Sequence, residues 1–134
     1  MAAYSSRSLV DKLGIKPRTR IALLNAPRGY RATLGRLPTG VTVAASIRGI
    51  FPFIQFFTRR RALLQSKLGM LLRALEPDGA LWVSWPKKAS GVATDMSENA
   101  VREIALPVGL VDIKVAAVDD VWSGLKLVRR LENR

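Results

Sequence analysis

Residues 1–134 read as one α/β domain: a mostly parallel sheet with helices on both faces, finished by a C-terminal antiparallel hairpin. Three observations predict it. Short, near-continuously apolar runs follow Pro-containing turns, as strands covered on both faces do. Helical periodicity fills the segments between the runs. The last two runs are joined by too few residues for a parallel crossover, which leaves a hairpin.

Taken in chain order, Ser8 with Asp11 three residues on suits the start of a brief helix that stops at Gly14. Lys16-Pro17-Arg18-Thr19 leads into the first strand, Arg20 to Leu24. Tyr30, Leu34 and Leu37 mark a short helix. Pro38-Thr39-Gly40 leads into Val41 to Ala45, and Pro77-Asp78-Gly79 into Ala80 to Trp85. In both, the Pro and Gly spacing fits a type I turn with Pro second and Gly fourth. Between them Thr58 caps a helix reaching Leu75, with Leu64, Leu68, Leu71, Leu72 and Leu75 on one face. Ser97 caps another, in which Val101, Ile104, Ala105 and Val108 share a face before Pro107 and Gly109. Leu110 to Ala117 and Leu125 to Arg130 form the hairpin, which gives the sheet an antiparallel edge strand.

Composition narrows the chemistry. The chain has no Cys and no His, which excludes disulfides, thiolate and imidazole metal sites, and Ser-His or Cys-His catalysis. No metal and no cofactor are expected. Met1 to Gly14 lacks a signal-peptide core, and the most apolar stretch, Gly49 to Phe57, falls far short of the roughly 20 residues that span a bilayer. No membrane partner is expected, and a cytoplasmic location follows by default. A net charge of +12 and a pI near 11.3 favour anionic partners. A small anionic ligand, nucleic acid and a homo-oligomer all stay open.

In an open α/β sheet ligands bind beyond the carboxyl ends of the strands, at a topological switch point. That selects Asn25 to Tyr30, Thr58 to Arg61, Ser84 to Asp95 and Asp119 to Ser123. The first loop holds only Gly29 where a phosphate turn needs several glycines, and Pro27 and Tyr30 are expected to crowd it. A conventional dinucleotide or S-adenosylmethionine site is therefore disfavoured there. Lys87, Lys88, Ser90, Gly91 and Thr94, with Asn25, form the candidate anion site: the lysines neutralise charge and the hydroxyls orient the ligand. Ser84 and Lys87 match a Ser-x-x-Lys pair, but Pro86 and the strand pattern make that spacing accidental. Asp119 and Asp120 suit turn chemistry before catalysis, and Asp95 suits capping or orienting a lysine. Arg59, Arg60 and Arg61 would oppose the positive end of a helix in its first turn, a cost that an anion relieves. With Arg28 and Arg31 they make a candidate basic rim for nucleic-acid phosphates. No aromatic-rich recognition motif accompanies it, so such binding would be weakly specific, and Trp82, Trp85 and Trp122 are expected to pack the sheet.

The run Ser84-Trp85-Pro86-Lys87-Lys88-Ala89-Ser90-Gly91-Val92-Ala93-Thr94-Asp95 resembles the bacterial domain of unknown function 3052 family of small uncharacterised proteins. So do Tyr4 to Lys16, Ile21 to Tyr30, Gly109 to Val118 and Trp122 to Lys126. The resemblance implies a reduced Rossmann-like, methyltransferase-type sheet and no established activity. Arg28, Pro107 and the Arg59 to Arg61 cluster depart from the family's pattern. The leading expectation is a non-catalytic or cryptic domain binding an anion or nucleotide-type ligand at the carboxyl edge of the sheet. The alternatives are a weakly specific nucleic-acid-binding module, and a small transferase with Lys87 or Asp95 as base.

Overall fold

The computed structural model describes residues 7–134, so Tyr4 to Ser6 of the matched segment lie outside it. The elements are α1 (Leu9–Leu13), β1 (Arg20–Leu24), α2 (Tyr30–Leu34), β2 (Thr42–Ala44), β3 (Phe51–Phe57), α3 (Arg61–Arg73), β4 (Leu75–Pro86), α4 (Glu98–Ala105), β5 (Leu110–Ala117) and β6 (Trp122–Arg129). Six strands form one sheet in the order β2-β1-β3-β4-β6-β5. The first four run parallel, and β6 is antiparallel to both β4 and β5. This is an α/β, Rossmann-like sheet with helices on both faces, as the sequence predicts. β1 leads outward to β2 on one side, while β3 lies on its other side, so the switch point falls between β1 and β3.

Each face of the sheet carries its own apolar layer. Leu64, Leu68 and Leu71 of α3 and Val101 and Ala105 of α4 pack on Ile54, Leu81, Val83, Leu125 and Leu127. On the opposite face Val10 and Leu13 of α1 and Tyr30 and Leu34 of α2 cover Ile21, Leu23, Phe53, Phe57 and Trp82. The Trp82 indole is fully buried and donates from Nε1 to the Leu13 carbonyl at 2.9 Å, fastening the end of α1 to the sheet. α4 is tied to β5 by Arg102, which pairs with Asp112 at 2.9 Å and with Glu98 one turn back.

Several local expectations are corrected. Pro38 occupies the first turn position and Gly40 the third: Val41 N donates to Pro38 O at 3.3 Å, and Gly40 has φ 76°. A positive φ at the third position is what a type II turn requires, and glycine supplies it without strain. Pro77, Asp78 and Gly79 make no turn before a strand; they bulge within β4, where Phe51 pairs with Leu75 and Phe53 with Ala80. The antiparallel strand is not the edge. β6 inserts between β4 and β5, and β5 takes the edge. Val108, expected on the buried face of α4, is 50% exposed, because Pro107 closes the helix in a 3-10 turn from Leu106 to Val108. Phe51–Phe57, read from sequence only as an apolar stretch, is β3, flanked on both sides by parallel partners.

Candidate functional site

The carboxyl ends of β1, β3 and β4 bring three loops to one edge of the sheet. The first turns sharply at Asn25, whose φ of 59° is left-handed, and Asn25 Nδ2 lies 3.4 Å from Phe57 O at the end of β3. Asn tolerates this region better than most non-glycine residues. Asn25 thereby ties the two strand ends that frame the switch point. Gly29, also left-handed at φ 81°, then starts α2. Tyr30 does not crowd the loop as expected. Its ring is buried, and its hydroxyl donates to Gln55 Oε1 at 2.7 Å, while Gln55 Nε2 donates to Ser84 Oγ at 3.2 Å. Gln55 and Ser84 are themselves fully buried, so this chain runs from α2 across β3 to β4 inside the protein. Burial pushes the Tyr30 phenol well above its ordinary range.

The second loop carries the arginine cluster. Thr58 is not the cap of the following helix; its Oγ1 bonds Arg60, accepting from the amide at 3.0 Å, and α3 begins only at Arg61. Arg59 and Arg60 therefore precede the helix and stand exposed. The repulsion expected in the first turn is relieved from within the chain: Asp95 Oδ1 accepts from Arg61 N at 2.8 Å, and the Arg61 guanidinium pairs with Glu103. Asp95 thus caps α3, rather than orienting Lys87 or Lys88 or receiving the start of α4. Ser97 does cap α4, accepting from Ala100 N at 3.0 Å.

The third loop, Lys87 to Asp95, is pinned to the second. Thr94 Oγ1 donates to Arg59 O at 2.6 Å, and Asp95 N donates to the same carbonyl at 3.3 Å. Ser90 Oγ donates to Lys87 O at 2.7 Å and accepts from Val92 N at 3.2 Å. Both hydroxyl protons proposed to orient a ligand are thus committed to the backbone, where they fix the loop's shape. Replacing Asp95 by Ala removes the α3 cap and leaves this staple, which Thr94 Oγ1 and the Asp95 backbone amide make. An expected loss of about 0.5–2 kcal/mol would be read from the urea midpoint.

Three cavities open at this edge. One of about 540 Å³ is bounded by Trp85, Lys87, Lys88, Gly91, Thr94, Met96 and Glu98. A second, of about 390 Å³, is bounded by Asn25, Phe57, Thr58, Arg59, Arg60, Leu63 and Trp122. A third, of about 340 Å³, holds Leu24, Asn25, Ser46, Ile47, Phe56, Lys67 and Met70. Asn25 therefore does not share a cavity with Lys87, Lys88, Gly91 and Thr94; it stands between the two cavities over the switch point. Sequence reading missed Lys67 and Met70, which line the third cavity from α3, and Trp122, which meets the Phe57 ring edge-on at 5.2 Å. Arg28, in the loop after β1, and Arg31, on α2, are exposed and line none of these three cavities. Asp119 Oδ1 accepts from Val121 N and Trp122 N, both at 2.8 Å, which is turn chemistry. Among the described residues no group of acids could hold a metal ion, and no helix is long and apolar enough to cross a membrane.

This fold is the one found in S-adenosylmethionine-dependent methyltransferases. A SAM-dependent methyltransferase from Aquifex aeolicus superposes with TM-score 0.62 at 15% identity, over 89% of this chain and 86% of that one. The N-methyltransferase NodS from Bradyrhizobium japonicum WM9, in complex with S-adenosyl-L-homocysteine, gives 0.59 at 13%, over 90% and 83%. Magnesium protoporphyrin IX methyltransferase from Synechocystis PCC 6803, with bound SAM, gives 0.57 at 11%, over 91% and 74%. No protein-family model and no curated protein matches the chain.

The residues of the switch point do not suit the cofactor that the fold implies. A nucleoside in a Rossmann-type site is held by a carboxylate about 20 residues beyond the glycine loop, which accepts from the ribose hydroxyls. Here the corresponding stretch is Ala45-Ser46-Ile47-Arg48-Gly49, and the sequence has no acidic residue anywhere between Asp11 and Glu76. Asp95 and Asp119, on neighbouring loops, are engaged with backbone amides. The methyl donor is a sulfonium cation, and the cations at this edge repel it.

Proposed function

We propose that the domain binds a phosphate-bearing, nucleotide-type ligand in the cleft over the switch point, held through its phosphates and base and not, as in a Rossmann-type site, through a carboxylate on its ribose. The observation that carries this reading is the pair of cavities meeting at Asn25, lined, Trp122 apart, from residues 12–75, a stretch that holds cations and no carboxylate. Leu24, Ile47, Phe56 and Met70 offer an apolar slot for a base, while Lys67, Arg59 and Arg60 lie where an anion is stabilised. Lys87 and Lys88, on the adjoining loop, add to the same field. Nothing in this arrangement requires turnover: Asp95, one expected base, already accepts from the α3 amide. A transferase is the second reading, favoured by the likeness of the fold to methyltransferases.

Thermal unfolding in the presence of ADP, pyrophosphate and S-adenosylhomocysteine separates the two. A ligand held only by the native state at 100 times its Kd stabilises it by about 2.7 kcal/mol. ADP is expected to raise Tm and the Arg59→Ala/Arg60→Ala variant to abolish the rise. A rise with S-adenosylhomocysteine alone would replace this reading with the transferase.

A further inference from the structure

We infer that the nucleotide taken by this cleft belongs to a single-stranded nucleic acid, whose neighbouring phosphates lie along the loops of the carboxyl edge. The inference rests on the nucleotide reading and extends it from a free ligand to a polymer. Arg28 and Arg31 follow β1, Arg59 and Arg60 follow β3, and Lys87 and Lys88 follow β4. These three strands are neighbours in the sheet. Their ends therefore spread over roughly 10 Å at the usual spacing of strands.

The loops bearing these cations are held to one another and not merely near. Thr94, seven residues beyond Lys87, bonds the Arg59 carbonyl at 2.6 Å, and Asp95 bonds the Arg61 amide. Asn25 reaches Phe57 O from the first loop. The strip is thus fixed before any ligand arrives, which lowers the ordering cost of binding.

Its charge is uncompensated. Among the described residues none of these six cations is in an ion pair; Arg61 and Arg102, which pair with Glu103, Glu98 and Asp112, lie outside the strip. Of the carboxylates at this edge, Asp95 and Asp119 accept from backbone amides, Glu98 is paired with Arg102, and Asp120 lies exposed in the hairpin turn. A lone nucleotide answers one part of such a strip, whereas a strand answers its whole length. For a strand that keeps the stacked rise of about 3.4 Å per nucleotide found within a duplex, about three successive phosphates meet roughly 10 Å of edge.

An anionic membrane is the competing polyanion, and the apolar surface argues against it. Peripheral membrane binding relies on apolar side chains beside the cations. The large exposed apolar residues, Ile50, Val108, Ile113, Val115 and Leu131, all lie outside these three loops.

The test is fluorescence anisotropy of a labelled ten-nucleotide oligouridylate and its oligothymidylate counterpart, titrated with the intact protein from low to moderate salt. Unlabelled UMP and vesicles containing phosphatidylserine are measured alongside. The expected log–log salt slope is about −2, from about three phosphates at 0.7 each. Arg28→Ala/Arg31→Ala and Lys87→Ala/Lys88→Ala are each expected to flatten it by about 1, with the Tm of the free protein unchanged. UMP is expected to bind at least tenfold more weakly than the oligonucleotide. Comparable RNA and DNA affinities would assign recognition to the phosphates, and tighter RNA binding would add the 2′-hydroxyl. Oligonucleotides binding no tighter than UMP would overturn the inference and leave the nucleotide cleft standing. Slopes indifferent to both double variants, or vesicle binding without oligonucleotide binding, would also overturn it. Absence of any nucleotide-induced Tm rise, by contrast, would remove the cleft reading itself.

Discussion

Trp82→Ala is expected to remove about 3–5 kcal/mol of stability, read as a lower urea midpoint at unchanged slope. The indole is fully buried at the middle of β4 and carries the contact between α1 and the sheet. Truncation leaves a cavity between two layers that cannot close independently, because β4 is held by β3 and β6 on its two sides. It also strips the Leu13 carbonyl of the donor it meets in Trp82 Nε1, the only one among the described residues. Trp82→Phe separates the two effects, since it keeps a ring and loses the donor; about 1–3 kcal/mol is expected from the orphaned carbonyl. The site is intolerant in the other direction too. A Cβ on Gly124 would stand 3.1 Å from Trp82 Cε3 and 3.3 Å from Ser84 Oγ, so the glycine on β6 leaves the indole room that any side chain there would narrow.

Gln55→Leu comes second, with an expected loss of about 2–4 kcal/mol. The amide both accepts from Tyr30 and donates to Ser84, and its removal leaves two buried hydroxyls with fewer partners. Replacing all three, by Tyr30→Phe/Gln55→Leu/Ser84→Ala, is expected to recover most of the loss, since no polar group is then stranded. The same chain gives a pH dependence. Burial raises the Tyr30 phenol's pKa, so the native state keeps its proton after the unfolded chain has lost it near pH 10. Above that pH the unfolded state binds fewer protons and stability falls; below it the contribution is complete. Tyr30→Phe should flatten the alkaline limb of a stability–pH curve, and an unchanged limb would assign it to other groups.

Where one residue type decides local geometry, the sequence was readable. Ser8 and Ser97 cap the helices that their spacing implies, Gly14 ends α1, and Arg20–Leu24 is a strand to the residue. Boundaries set by partners distant in sequence were not. Nothing local says that Asp95 will cap α3, so Thr58, a good cap by type, drew the helix two residues too early. Pro77-Asp78-Gly79 has the composition of a turn, yet pairing on both sides draws it into β4 as a bulge. The insertion of β6 is likewise a tertiary fact, because a hairpin pattern does not say which of its strands lies inside. Of the candidate site, Asn25, Arg59 and Arg60 were legible as cations and polar groups at strand ends. The gathering of Lys67, Met70 and Trp122 around Asn25 was not, since it depends on how α3 and the hairpin lie over the sheet.

The place of β6 also bears on how the chain reaches its fold. A sheet built outward could gain strands in the order of synthesis, but here residues 122–129 must enter between two strands made earlier. Until they do, β5 has no neighbour, and β4 presents one open edge with Val83 and Trp85 beside it. Closure is therefore a long-range event, the kind that slows folding and leaves an intermediate prone to pair with the wrong chain. A nascent chain stalled before residue 122 would hold α1, α2 and the four parallel strands with that side unzipped. Chaperone capture at this length, released once residue 129 clears the ribosome, is the signature to expect of a protein whose sheet is completed from the inside.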